Sequence, residues 1–457
     1  MDPDARVNDQ AVQSESPDDA VRASSQVDVL KQLMQAPQAL DELDISPSVV
    51  TDLLMRILFN EGVVSLRRLA EVTRLDLKLI DGIMEKMQYD QLVEVASAGS
   101  MGRFTYSYSL SDAGTLRARD AMERTQYVGP APVSLGRYSK MILLQTSRKL
   151  HITPPDVIAA LKHLLLPENF HRRIGPAINA GTSLFLYGPP GNGKTSIAES
   201  IAHLISGASP IWVPYAISTG GYIISLYDPA IFREIDVTKD QLKSLRTSGL
   251  NEVDRRWGLF ERPAVMVGGE LSMEALDLRF DPIAKFYEGP LQLKANGGMF
   301  LIDDFGRQQI RPADLLNRWI VPLESGYDFL RLRTGQTLQT PFRQLIVFST
   351  NLDPLELVDD AFLRRIQMKV EVESPDERLF FQIFATVAKS LDVPLDKDGF
   401  MYFLNRWYRE TGRTMQAVHP RDVLKILVAM CEYESIPAQL TPALIDAACE
   451  SYFVDHG

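Results

Sequence analysis

The sequence predicts an α/β chain: a mostly parallel sheet with helices on both faces, followed by a helical region and preceded by a small α+β module. Three observations predict it. Between about Tyr138 and Glu373, short apolar runs (SLFLYG, PIWVPYAI, GMFLID, RQLIVFST, IQMKVEV) alternate with stretches of helical spacing, the pattern of strand and helix crossovers. From Ser374 onward the spacing is helical throughout. Between about Ile45 and Thr125, three helical stretches run into a hairpin pattern. A length of 457 residues suits about three such domains.

Taken in order, the first stretch, residues 1–26, is acidic and free of aromatics, so burial cannot offset its ordering entropy and a disordered tail is expected. In residues 45–125, SPSVVTDLLMRILFN, VSLRRLAEVTR and LDLKLIDGIMEKMQYD predict three helices. QLVEVASA and RFTYSYSLS predict a hairpin around Gly99 and Gly102, and DAGTLRARDAMERT a closing helix. This order resembles a winged helix, down to the YSLSDAG phrase at the end of the hairpin. Residues 126–137, with Pro130 and Pro132, read as a linker to an α/β domain over 138–373 and a helical domain over 374–457.

Composition narrows the function. Forty-eight basic against 59 acidic residues give a formal charge of −11, the wrong sign for a chain that coats nucleic acid. No apolar run reaches the roughly 18 residues that span a bilayer and the N-terminus lacks a signal layout, so a cytoplasmic protein without membrane insertion is expected. Cys431 and Cys449 stand apart without metal-ligand company and read as core or helix-face thiols.

The strongest chemical signal is LFLYGPPGNGKTSIAESIAHL. Gly188, Pro189, Pro190, Gly191, Asn192, Gly193, Lys194 and Thr195 satisfy G-x-x-x-x-G-K-[ST] between a strand pattern and a helix pattern, with Ser196 next in the helix. The glycines free backbone N–H groups to wrap a phosphate, and the helix N-terminus adds a favourable dipole. Lys194 is expected to reach the β- and γ-phosphates of ATP, and Thr195 to ligate Mg²⁺. About a hundred residues on, GGMFLIDDFGRQ ends an apolar strand in two acids: Asp303 is suited to the Mg²⁺ shell and Asp304 to orienting or deprotonating the attacking water. QLIVFSTN ends in Asn351, whose amide can position water or touch the γ-phosphate; a turn-forming Asn is the alternative. DDAFLRRIQMKVEV sets Arg364 and Arg365 at a helix end before a strand, where favourable C-terminal helix charges are the plain alternative, and AVHPRDVLKIL sets Arg421 at a helix start, where a cation gains nothing from the dipole and a ligand-facing role is favoured.

In this order the motifs resemble the AAA+ ATPases: GPPGNGKT as Walker A, FLIDD as Walker B, Asn351 as sensor 1, AFLRRI as the arginine-finger segment and HPRD, with Arg421, as sensor 2. The resemblance covers Tyr138 to the C-terminus. It implies an α/β P-loop domain with a helical lid, ATP hydrolysis with Mg²⁺, and self-association into a ring, a hexamer by family habit, with ATP between subunits. LLNRWIVPLESGYDFLRLRTGQTLQTPF, turning at Thr334 and Gly335, reads as a hairpin before the sensor strand and resembles the pre-sensor-1 hairpin subgroup. The second acid departs from that subgroup, being Asp304 where Glu is usual, and one methylene fewer draws the carboxylate back by about a bond length. Asp-Asp followed by an apolar residue and Gly also looks like the replication initiators and helicase loaders, which leaves the subgroup open.

Between the two Walker segments, VPYAISTGGYIISLYD predicts a hairpin at Thr219, Gly220 and Gly221. Its Tyr222, Ile223 and Tyr227 suit a substrate-gripping loop or, equally, a hairpin packed on the sheet. DRRWGLFERPAVMVGGELS matches no mechanistic part, with Arg255, Arg256 and Arg262 as candidates to face a neighbour's nucleotide. In the winged-helix-like module the third helix carries Asp76, Asp81, Glu85 and Asp90 against Lys78 and Lys86, and the wing offers little basic charge beyond Arg103. Protein docking or oligomer contact is therefore placed ahead of DNA binding for that module. Two functions compete: a ring-forming ATPase that remodels a protein partner, and a DNA-associated ATP-dependent switch or loader.

Overall fold

The computed structural model describes residues 28–98, 102–147, 150–236, 253–357 and 363–454. The tail expected over residues 1–26, the hairpin apex at Gly99 and residues 358–362 of the arginine-finger segment lie outside that set. The chain packs as two units, one built from Met1–Met122, Val128–Leu144 and Asp236–Trp257, the other from Glu123–Tyr127, Gln145–Ile235 and Gly258–Gly457.

The second unit is built on a five-stranded parallel sheet. In chain order its strands are β1 (Ser183–Tyr187), β2 (Ala264–Val267), β3 (Met299–Ile302), β4 (Leu345–Thr350) and β5 (Met368–Glu371), arranged β2-β3-β4-β1-β5. Side chains alternate across a strand, and these strands are apolar on both faces, so the alternation sorts two cores. Leu184, Leu186, Met299, Leu301, Leu345 and Val347 face an aliphatic core with Ile197, Ile201 and Ile205. Phe185, Phe300, Ile302, Ile346 and Phe348 face the other, with Trp319 and Phe305. There the rings of Phe185 and Phe348 stack at 5.7 Å, and Trp319 meets Phe300 edge-on at 5.4 Å.

One strand expectation is corrected. PIWVPYAI is not a strand of the parallel sheet; it breaks into Ile211–Pro214 and Ala216–Thr219, because Pro214 has no N–H to continue a ladder. The sheet edge is taken by AVMV of β2, from a segment that had matched nothing; Val265 and Val267 are buried and Met266 is exposed. The expected hairpin before β4 is present, Tyr327–Arg331 against Thr337–Pro341. So is the one turning at Gly220 and Gly221, Ala216–Thr219 against Tyr222–Ser225. Ile223 of that hairpin is buried, Tyr222 lies edge-on to Tyr287 at 5.7 Å, and Tyr227 packs with Tyr215 at 5.2 Å. The hairpin belongs to a sheet separate from the parallel one, and its aromatics pack against other rings, with Tyr227 still exposed.

After β5 the same unit continues as helices Glu377–Ser390, Lys397–Leu404, His419–Glu434 and Pro442–Tyr452. Asp376, Asp396 and Thr441 cap three of them by accepting N–H groups of Leu379, Gly399 and Leu444. Their core includes Phe380, Phe403 and Leu427, and holds Cys431 and Cys449 as buried thiols.

In the first unit, helices Pro47–Glu61, Leu66–Thr73 and Leu77–Tyr89 precede strands Val93–Ser97 and Ser107–Leu110. With Val64–Ser65 these strands make a three-stranded antiparallel sheet. Arg103 pairs with Asp81 at 3.2 Å and Glu85 at 2.8 Å, both on the third helix. The basic residue expected to serve the wing is thus neutralised by that helix. Arg256, fully buried, donates to Asp254, Asp44 and the Pro132 carbonyl, and Arg137 pairs with Asp254 at 3.2 Å. This corrects the expectation that Arg256 faces a nucleotide: its charge is consumed in stapling three chain segments together.

Candidate nucleotide site

β1 ends at Tyr187 and the chain turns through Gly188–Gly193 into the helix Lys194–Ser206. Glycine is required at two points for separate reasons. At Gly188 (φ +131°) a Cβ would lie 2.5 Å from the carbonyl oxygen of Val372, the residue that follows β5. At Gly191 (φ +73°) it would lie 2.6 Å from Val418 Cγ1. Gly193 caps the helix without a side-chain acceptor, which leaves the first N–H groups directed at the loop's interior. Pro189 and Pro190 hold the turn between them.

Lys194 is buried, and its ammonium donates to the carbonyls of Gly188 at 2.8 Å and Pro189 at 2.7 Å. Burial drives its pKa down to about 8, against the opposing pull of Asp303 and Asp304. Thr195 Oγ1 donates to Asp303 Oδ2 at 2.8 Å, and Ser196 follows half-buried, its carbonyl accepting from Ser200 Oγ. Asp303 sits at the end of β3 and is held by its N–H to the Val267 carbonyl of β2. Asp304 adopts φ +49°, a left-handed conformation that Asp tolerates better than most residues. Its Oδ1 accepts from Asn351 Nδ2 at 3.2 Å, at the end of β4.

Gly191 to Ser196, Asp303, Asp304 and Asn351 line one cavity of about 560 Å³, while Gly188, Pro189 and Pro190 do not; the cavity also takes in Arg421, exposed in the first turn of the helix His419–Glu434, with Nε on Asp422 at 2.9 Å. Its polar lining includes Lys194, Thr195, Asp303, Asp304 and Asn351, and its apolar lining Leu164, Leu165, Leu166, Ile383 and Val387. Sequence reasoning missed the apolar lining; the LLL run at 164–166 was its signal, and such a run looks like any helix end.

The donor set fits a small hard cation. Thr195 and Asp303 offer a hydroxyl and a carboxylate side by side, and Mg²⁺ is usually held by one or two carboxylates, phosphates and water. Among the described residues no cluster of three His, Cys, Asp or Glu side chains could hold a metal ion by itself.

Arg365 donates from Nε to Glu324 at 2.6 Å, and Arg364 beside it is exposed; neither lines the cavity. Arg262 is buried and donates to the Ser209 carbonyl at 2.8 Å and, very closely, to the Gly297 carbonyl, so it too is a structural arginine, contrary to expectation. Arg255 lines a different cavity, in the first unit, and is no part of this site.

Comparison with known proteins adds little. A family model described as a domain of unknown function (DUF8689) matches residues 376–451, the helical region after β5. No curated protein matches the chain. Among solved structures, a mutant of Thermotoga maritima RuvB is 13% identical at a TM-score of 0.34, covering 71% of this chain and 74% of that one. Thermotoga maritima RuvB described as a Holliday junction branch migration motor is 13% identical at 0.33, covering 66% and 71%. Likeness at that level decides nothing about activity or partner.

Proposed function

We propose that this chain is a Mg²⁺-dependent ATPase of AAA+ type, which assembles into a ring and couples hydrolysis to remodelling of a macromolecular partner. One observation carries the catalytic part: a buried lysine, a Thr–Asp pair and an Asp–Asn pair, from the helix start after β1 and from the ends of β3 and β4, line one cavity that apolar side chains also line. The apolar lining suits a base and the polar lining a triphosphate. In this reading water attacks the γ-phosphorus as the bond to the β-phosphate oxygen breaks. Asp304, steadied by Asn351, orients the water and takes its proton, and Lys194 leaves the loop carbonyls for the β- and γ-oxygens. Thr195 and Asp303 would hold Mg²⁺, which when bound offsets charge on the phosphate oxygens.

The partner is protein in the first reading. The second, a DNA-associated switch or loader, would draw its site binding from the first unit, whose helix-and-sheet order supports a winged-helix reading. Trapping Asp304→Asn with ATP and identifying what co-purifies separates the two. The ATPase reading itself is tested by calorimetry: Lys194→Ala is expected to abolish ATP binding, and Asp304→Asn to keep binding while losing turnover. Tight ATP binding by Lys194→Ala would overturn it.

A further inference from the structure

The phosphate loop is tied to the helical region by contacts that the chemistry above does not use. Asn192 is 5% exposed and spends both ends of its amide: Oδ1 accepts the Ala417 N–H at 3.0 Å, and Nδ2 donates to Ser374 Oγ at 3.2 Å. Beside it the Gly191 carbonyl accepts the Val418 N–H at 2.9 Å, and any Cβ on Gly191 would press into Val418 and Gln416. The loop therefore grips the chain at two points. One is where it leaves β5 for the helices; the other is one turn ahead of Arg421. The Val418 carbonyl in turn accepts the Asp422 N–H at 3.1 Å, so moving Ala417 and Val418 moves the first turn that carries Arg421.

We propose that Asn192 is a positioning residue: through Ala417 and Ser374 it sets Arg421 over the γ-phosphate, and it passes phosphate occupancy of the loop back to the helical region. The inference rests on the ATPase reading. Its physical basis is that Lys194 now bonds carbonyls of the loop itself. A triphosphate that takes over those donations changes the loop on which the Asn192 amide is mounted. Because linkage is reciprocal, whatever the loop does to the helices the helices do to phosphate affinity. An amide that merely satisfied buried polar groups would affect ATP and ADP alike.

The test is a double-mutant cycle on the full chain, reading kcat together with ATP and ADP affinity by calorimetry. Asn192→Ala is expected to lower kcat and the ATP-to-ADP affinity ratio about fivefold each, the scale of one hydrogen bond, with ADP affinity held within about twofold. In an Arg421→Ala background the same substitution is expected to add nothing. Ser374→Ala, which removes one of the two amide contacts, is expected to move both quantities less and in the same direction, and it carries the decision if Asn192→Ala does not fold. Equal losses for ATP and ADP, or effects of Asn192 and Arg421 that multiply, would overturn the proposal. Absence of ATP binding by the unaltered protein would instead overturn the ATPase reading.

Discussion

Lys194 shows how one residue's burial becomes a pH dependence. With its pKa lowered to about 8, the ammonium loses its proton above that pH in the empty loop, whereas a bound triphosphate favours the charged form. Binding above that pH is then expected to be accompanied by proton uptake, with ATP affinity falling about tenfold for each pH unit above 8. Calorimetry at pH 9 in buffers of different ionisation enthalpy reads that proton directly; equal heats in all buffers would refute it. In the first unit, Arg256 illustrates the opposite use of burial. It is enclosed with Asp254 and Asp44, so its charge is locked into structure and is not offered to a ligand.

At the scale of elements, the helical region carries its own acid sensitivity. His419, at the start of the helix bearing Arg421, is buried with Nδ1 against Tyr408 Oη at 2.9 Å. Burial, and then the nearby Arg413, hold its pKa at about 4, with Asp422 opposing. The unfolded chain binds a proton near pH 6.5 that the folded one refuses until about 4, so stability is whole above pH 6.5 and drains away as the pH falls toward 4. The loss expected at pH 4 is about 3 kcal/mol, and His419→Phe should flatten that part of the profile in urea unfolding at pH 7 and 4.5. The strands show a different constraint. A Cβ at Gly298 would lie 1.9 Å from the Pro263 carbonyl oxygen, so the start of β3 can lie beside β2 only with glycine there.

For the whole molecule, the ring reading makes assembly depend on nucleotide. ATP shared between subunits adds its binding energy to association, so mass by light scattering is expected to rise with a slowly hydrolysed ATP analogue at micromolar protein. Arg365 is the first candidate to complete a neighbour's site and Arg364 the second. Arg365 is held within its own chain by Glu324, a grip that would have to loosen on assembly. Arg365→Ala is expected to lose about 10³-fold or more in turnover, and to recover part of it when mixed with Lys194→Ala, since a mixed junction can pair an intact loop with an intact arginine. Normal turnover by the double variant lacking both arginines would show that neither acts as the finger.

The sequence by itself determined the elements whose signals are local. The G-x-x-x-x-G-K-[ST] spacing located the loop between strand and helix, runs such as MFLI and LIVFST marked β3 and β4, and Thr-Gly marked the hairpin before β4. These follow from backbone geometry within a few residues, which composition reports directly. What only the tertiary structure decided depends on neighbours distant in the chain. AVMV and PIWV are equally apolar, yet only the first finds a parallel partner in β3 and becomes the sheet edge. Arg255, Arg256 and Arg262 look alike as letters, and an acid more than two hundred residues away, Asp44, makes one of them a staple. Leu164, Leu165 and Leu166 line the cavity together with Ile383 and Val387, which lie more than two hundred residues away in the chain. Asn192 was visible as a letter of the loop, but its grip on Ala417 and Ser374 is a contact across some two hundred residues, for which no local pattern exists.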